Sequence, residues 1–280
     1  MSGILVTGGT GTFGRAFVRS AIDVGVSYRI CIYSRDEHKQ ADMRGAFPDS
    51  RLRFFIGDVR DRDRLRTAMR GCDIVVHAAA LKRIETSHYN PIEVVKTNVL
   101  GAVNVIEASV DAGVQRVIAL STDKAYQPVS AYGHSKAMAE CLFLAANEMH
   151  GVHGPRFAVC RYGNIAGANG SVIPKWRRLL EEGREISVTD PDATRFWMTS
   201  SEAVDFVLST LEAMPREVAI PDLPAYRLGD LAEAMGVPGF PVITGLPAWE
   251  KKHECMEEGK CSNSAPRLSV EELKELLKDV

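Results

Sequence analysis

The stretch Ile4-Leu5-Val6-Thr7-Gly8-Gly9-Thr10-Gly11-Thr12-Phe13-Gly14-Arg15-Ala16-Phe17 reads as a short apolar strand, a tight turn and the start of a helix. Gly8, Gly11 and Gly14 recur every third residue, with Thr12 and Phe13 between the last two. Glycine here lets the backbone turn sharply and approach a pyrophosphate, whose negative charge the N-terminus of the following helix favours. Three glycines at this spacing also fit a plain structural turn. The strand before them and the helix after them are what make the motif a dinucleotide-binding signal.

Working outward, apolar runs at 29–33, 52–56, 74–78, 116–120 and 157–161 join 4–7 as strands, and 14–24, 61–70, 91–112 and 131–150 read as helices. The strands are apolar on both faces, as in a parallel sheet covered by helices. Pro91 suits a first helical turn, and Thr199 with Glu202 and Ser269 with Glu272 have the spacing of capping boxes, predicting helix starts near 200 and 270. The expected fold is α/β: a doubly wound, Rossmann-type parallel sheet with a smaller C-terminal α/β substrate lobe. Residues 1–165 form the dinucleotide-binding domain, with 195–220 returning to it; 166–194 and 221–280 form the lobe.

At 280 residues with a net charge of −2, the chain has ample length for a core and no basic field, which argues against nucleic acid or an anionic membrane as partner. The sequence has neither a signal-peptide pattern nor an apolar run of about 18 residues, so a cytoplasmic protein with a small-molecule ligand is expected. Six cysteines scattered through strands and helices read as reduced thiols. His253, Cys255 and Cys261 lack a fourth ligand and fit no common zinc spacing, so no metal is expected. The charged run Glu250 to Glu254 reads as a solvated turn.

After the second strand come Ser34, Arg35, Asp36 and Lys39. Arg35 suits a ribose 2′-phosphate, and a charge-assisted hydrogen bond of about 1.5–3 kcal/mol gives a roughly tenfold to hundredfold preference, hence NADP. NAD is the alternative, because Asp36 could pair with Arg35 or take the ribose itself. Asp58, after the third strand, is placed to hold the adenine amino group or to cap a helix. Tyr132 and Lys136 lie four apart on one helix face. One positive charge at about 4 Å and an effective dielectric near 20 is worth roughly 4 kcal/mol, enough to draw a phenol from about 10 toward neutrality. Tyr132 is thus a candidate base, and Lys136 its charged partner and a holder of the cofactor ribose.

The glycine loop and the Tyr132/Lys136 pair resemble an extended short-chain dehydrogenase/reductase. The segments His77 to Lys82, Tyr89 to Pro91, Lys96 to Val99, Leu120 to Ala125 and Thr194 to Met198 narrow the resemblance to UDP-N-acetylglucosamine 4,6-dehydratases of the short C5-inverting branch. It runs from Ile4 to about Met256. It implies cofactor contacts from Val59, Ala78, Ala79, Ala80 and Asn98, and a homo-oligomer, a dimer or higher. It also implies a chemistry. Tyr132 takes the C4 hydroxyl proton as C4 is oxidised, and Thr122 or Ser121 hydrogen-bonds the C4 oxygen. Lys124, held neutral, removes the C5 proton made acidic by the ketone, and Asp123, held protonated, gives its proton to the departing O6. Adjacent strand residues point to opposite faces, so this pair converges only if the strand ends before it. A sugar-nucleotide 4-epimerase or reductase shares the fold and the tyrosine, and a dinucleotide-sensing regulator is the non-enzymatic alternative.

On the substrate side the resemblance implies Lys82, Arg161, Asn164 and Val172, with Arg195 at the diphosphate and Glu250 at the uridine ribose. The chain departs from the family pattern at Trp249, where glycine is usual, and at Lys252, where an apolar residue is.

Overall fold

In the computed structural model, which describes residues 3–239 and 241–280, six strands alternate with helices through the first 162 residues. They are β1 (Gly3–Thr7), α1 (Thr12–Asp23), β2 (Arg29–Ser34), α2 (Glu37–Ala46), β3 (Leu52–Ile56), α3 (Arg62–Met69), β4 (Ile74–His77), α4 (Ile84–Tyr89) and α5 (Pro91–Val94). A π-helical turn, Val95–Leu100, leads into α6 (Gly101–Asp111), followed by β5 (Arg116–Thr122), a 3-10 turn (Asp123–Ala125), α7 (Ala131–His150) and β6 (Arg156–Tyr162). Beyond these lie α8 (Val172–Glu181), β7 (Ser187–Val188), β8 (Thr194–Phe196), α9 (Ser200–Ala213), β9 (Ala225–Arg227), α10 (Leu228–Ala234), β10 (Val242–Ile243), β11 (Cys255–Glu257), β12 (Lys260–Cys261) and α11 (Val270–Leu276).

The sheet is parallel in the order β3-β2-β1-β4-β5-β6. The direction of winding reverses between β1 and β4, which opens a crevice at the carboxyl ends of those strands. Period-two sorting builds a core on each face. Ile4, Val6, Ile30, Ile32 and Ile118 pack with Phe17 of α1 and Val204 and Val207 of α9, while Leu5, Cys31, Val75 and Val117 pack with Val105 of α6 and Phe143 of α7. The Thr199/Glu202 capping box starts α9 and sets it on the α1 face of the sheet. The second capping box, Ser269/Glu272, starts α11. A separate core holds Trp176, Trp197, Tyr226, Leu231 and Leu273, with Trp197 and Tyr226 edge to face across 5.7 Å. No helix among the described residues is long and apolar enough to cross a membrane.

The cysteine expectation fails at one point. Cys255 and Cys261 form a disulfide across the β11–β12 hairpin, whose antiparallel register puts the two residues directly opposite each other. A turn between two cysteines six apart supplies the geometry that a scan for metal spacing overlooks. Cys31, Cys72, Cys141 and Cys160 are free thiols.

Candidate active site

The crevice is a cavity of about 500 Å³. Gly8 sits at φ +66° with its α-carbon against the backbone of Ala79, where a β-carbon would lie 2.9 Å from Ala79 N. At Gly14 a β-carbon would lie 2.4 Å from Gly9 O, so only glycine lets α1 start this close to the turn. Gly11 caps α1 with no side-chain bond, leaving the first amides of a twelve-residue helix directed at the cavity, as a pyrophosphate requires. Thr12 and Phe13 line the same end.

Ser34, Arg35 and Lys39 line the same cavity together with Asp58 and Val59. Asp36 does not take Arg35. Its carboxylate caps α2 by accepting from Lys39 N at 3.0 Å, and it faces Lys39 Nζ at 3.4 Å. Arg35 is half exposed, with only a 3.7 Å approach to Asp58. Asp58 is not a helix cap, since Asp61 caps α3; its carboxylate is gripped by Arg60 at 2.7 Å. Ala78, Ala79, Ala80 and Lys82 line the wall after β4. Asn98 lies behind that wall, its amide exchanging hydrogen bonds of 2.8 and 2.9 Å with the Leu81 backbone and donating to Ser135 Oγ at 2.9 Å. The residues present therefore fit a nicotinamide dinucleotide: a glycine cradle, a helix N-terminus and, at one end, Arg35 and Lys39 set among Asp36 and Asp58.

At the other end of the cavity stand Thr122, Lys124, Tyr132, Lys136 and Asn164. The strand ends where convergence requires: β5 stops at Thr122, and the 3-10 turn brings Lys124 Nζ to 3.1 Å from Asp123 Oδ1. Asp123 itself is fully buried beneath the cavity wall, with Oδ1 accepting from Thr122 Oγ1 at 2.9 Å and Oδ2 buried without a hydrogen-bond partner.

Two electrostatic expectations need correction. Lys124 is not neutral in this state. Burial acts to lower its pKa, but Asp123 and Glu254, the latter 3.2 Å away, outweigh burial and raise it. Tyr132 is not poised near neutrality either: burial pushes it up to about 12, and the charge that partly offsets this is that of Lys124. Lys136 donates to Leu120 O at 2.6 Å, and burial pulls it down to about 8 against the opposing pull of Glu140. Asp123 fits its expected protonation more closely, since burial raises its pKa despite the lysine beside it.

The run from Glu250 to Glu254 is not a solvated turn. Lys251 Nζ donates to Tyr126 O and reaches Glu254 Oε2, both at 2.9 Å. Glu254 is 1% exposed, and although burial opposes it, Lys124 and Lys251 pull its carboxyl down to about 2. Sequence reasoning missed this residue; an alternation of charges that neutralise one another is the pattern that could have pointed to it.

The remaining candidates do not face the cavity. Arg161 pairs with Glu140 at 2.5 Å, and Glu140 also accepts from Ser121 Oγ. Arg195 is buried, donating to Thr194 O at 2.7 Å and pairing with Glu250 at 2.5 Å. Val172 begins α8 and packs against the core around Trp176 and Trp197. Trp249 stacks on His88 of α4, ring centroids 4.5 Å apart.

Residues 4–266 match the family described as polysaccharide biosynthesis protein. The chain belongs to that family. It is 47% identical over 255 residues to the inverting UDP-N-acetylglucosamine 4,6-dehydratase of Campylobacter jejuni, covering 90% of this chain and 76% of that one. It is 43% identical over 237 residues to a UDP-glucose 4-epimerase of Rickettsia prowazekii, covering 83% and 69%. In fold it is similar to the crystal structure of DesIV, a dTDP-glucose 4,6-dehydratase of Streptomyces venezuelae with NAD bound (22% identity, TM-score 0.81, 99% of this chain and 96% of that one). Within this family the distinction to be drawn is between losing water and epimerising.

Proposed function

We propose that the protein dehydrates UDP-N-acetylglucosamine to a UDP-2-acetamido-2,6-dideoxy-4-hexulose with inversion at C5, using NADP, in the cytoplasm. The observation that carries this reading is the Lys124–Asp123 pair, 3.1 Å apart, at the end of β5 beside Tyr132. A 4-epimerase needs a base for the C4 hydroxyl and no second acid/base pair at C5 and C6, so a buried pair there favours elimination.

A bound nicotinamide dinucleotide supplies hydride acceptance at C4, hydride return at C6 and a positive ring charge. The chain's own residues move the protons. Tyr132 accepts the C4 hydroxyl proton as its phenolate, the form that the positive ring charge and the Lys124 ammonium favour against burial. Lys124 reaches its amine form by passing a proton to Asp123, the neighbouring carboxylate whose pKa burial raises; Glu254, held near 2, is the poor acceptor. The amine then takes the C5 proton. Asp123 lies out of contact with the cavity, so its proton reaches O6 through Thr122 Oγ1, which it already meets at 2.9 Å. O6 leaves as water, C5 takes a proton from solvent on the face opposite Lys124, as inversion requires, and Tyr132 gives its proton back to that solvent, so Lys124 stays an ammonium and Asp123 a carboxylate. Every protein group is restored.

On the substrate side Asn164, whose Oδ1 accepts from Lys124 Nζ at 3.3 Å, and Lys82 line the sugar end. Arg195 meets the diphosphate once Glu250 turns from it toward the uridine ribose. Incubation with UDP-N-acetylglucosamine in deuterated water, read by mass spectrometry and proton NMR, tests the reading: loss of one water with deuterium at C5 is expected. A product of unchanged formula epimerised at C4 overturns it.

A further inference from the structure

Lys124 is the group on which elimination depends, and its ammonium is fixed from three directions: Asp123 on its own turn, Asn164 after β6, and Glu254 just before β11. Of these only Glu254 comes from the C-terminal hairpin. Its Oε1 lies 3.2 Å from Lys124 Nζ and its Oε2 2.9 Å from Lys251 Nζ. Lys251 in turn donates to Tyr126 O at 2.9 Å, just past the 3-10 turn that carries the catalytic pair. The hairpin behind Glu254 is closed by the Cys255–Cys261 disulfide, and the Glu254 amide N–H donates to Ser262 Oγ at 3.0 Å, just past the second arm. A carboxylate held this way at both ends of its residue acts as a fixed anchor.

Resting on the dehydratase reading, we propose that Glu254 is a positioning residue that holds Lys124 at the C5 side of the cavity and fixes the pH at which its amine becomes available. The other charged or titratable groups that act on Lys124 are Asp123 beside it, Arg195 of β8, Tyr132 of α7 and Tyr226 of β9. Arg195 is cationic and disfavours the ammonium, Tyr226 is kept neutral by burial, and Tyr132 and Asp123 each gain and lose a proton in turnover. Glu254 is thus the permanent anion of the set.

The test compares wild type with Glu254→Gln and Glu254→Asp as loaded enzyme. First, trace acylation of Lys124 against pH, read by peptide mass spectrometry, reports the free amine without reference to turnover. The Gln variant is expected to label at lower pH than wild type and the Asp variant to stay close to it. Second, single-turnover traces separate C4 oxidation, read as reduced-cofactor absorbance, from C5 exchange, read as deuterium uptake. The Gln variant should keep the first within a fewfold and lose the second by about tenfold to hundredfold, less than the roughly 10²–10⁴-fold that a positioned base contributes because Lys124 itself remains, with KM little changed and the acid limb of exchange moved to lower pH. Unshifted labelling in the Gln variant, or equal loss of both steps with an unmoved limb, overturns the proposal. Wild type that never loses water overturns the dehydratase reading instead, while the labelling comparison still decides the role of Glu254.

Discussion

Replacing Lys124 by Met leaves the shape of the side chain and removes the cation between Asp123, which is fully buried, and Glu254. Breaking a buried pair by deleting one partner costs about 3–5 kcal/mol, because the charge left behind is uncompensated. Glu254 keeps Lys251, so most of the deficit falls on Asp123. With an unfolding entropy of about 2.1 cal/mol/K per residue, a chain of 280 residues loses roughly 5–8 °C of Tm. The sign with pH follows from linkage. The folded-state pKa of Asp123 is raised by burial, and loss of Lys124 raises it further. A group with a raised folded pKa contributes stability that is intact below its unfolded value and lost as pH rises through the folded one. The variant should therefore lie closer to wild type at about pH 5 than at about pH 8. Urea unfolding of both proteins at the two pH values measures this. An equal deficit at both, or none, would refute the claim that Asp123 depends on Lys124 for its charge.

Arg35→Ala should weaken NADP binding about tenfold to hundredfold and leave NAD within a fewfold, measured by fluorescence titration of each cofactor. Equal loss of both would remove Arg35 from the choice. Reduction of the Cys255–Cys261 disulfide opens a short loop, worth about 2 kcal/mol by chain entropy, so Tm should fall by about 4 °C in reductant. Alkylation of the unfolded, unreduced protein should modify the four other cysteines only. Ile92, Val95 and Leu100 are exposed apolar residues on the segment leading into α6, with Met138 exposed on α7, which packs against it. Leu100→Arg should shift the proposed homo-oligomer toward monomer in sedimentation velocity, and a wild-type monomer would remove that assignment.

The sheet was legible because five of its strands are buried on both faces and so read as apolar runs, while the edge strand β3, half exposed, was marked by Leu52, Phe54, Phe55 and Ile56; each falls within two residues of its expected bounds. Helix α2 was not read as a helix. Its residues 37–46 are mostly polar and exposed, so the periodic signal is weak, and Asp36, weighed as a cofactor ligand, is spent capping it. The crevice residues were legible for the same local reason: a glycine loop, a helix face and a strand end are each defined by neighbours in sequence. Arg161, Arg195 and Glu250 were harder, because whether a charge faces a ligand or another charge depends on residues up to a hundred positions away. Glu254 belongs to the same class; the disulfide, between cysteines six apart, is local and was hidden by reading all six cysteines as the reduced thiols of a long chain.

That class has a structural consequence. Asp123 and Lys124 sit at the end of β5, yet the charges that act on them, Glu254, Lys251 and Arg195, all come from beyond residue 190. Arg161 of β6 likewise donates to Met256 O of the hairpin. Burying ionised groups is unfavourable unless each has a partner, so neither the strand end nor the hairpin is at ease without the other. The dinucleotide cradle, by contrast, is built from Gly8, Gly14 and the wall at Ala79, all within the first eighty residues. Cofactor binding and elimination are therefore separable in this fold. Loosening the hairpin should leave the cradle intact while Lys124 loses its place, which makes loss of C5 exchange with retained dinucleotide affinity the signature of damage to the C-terminal segment.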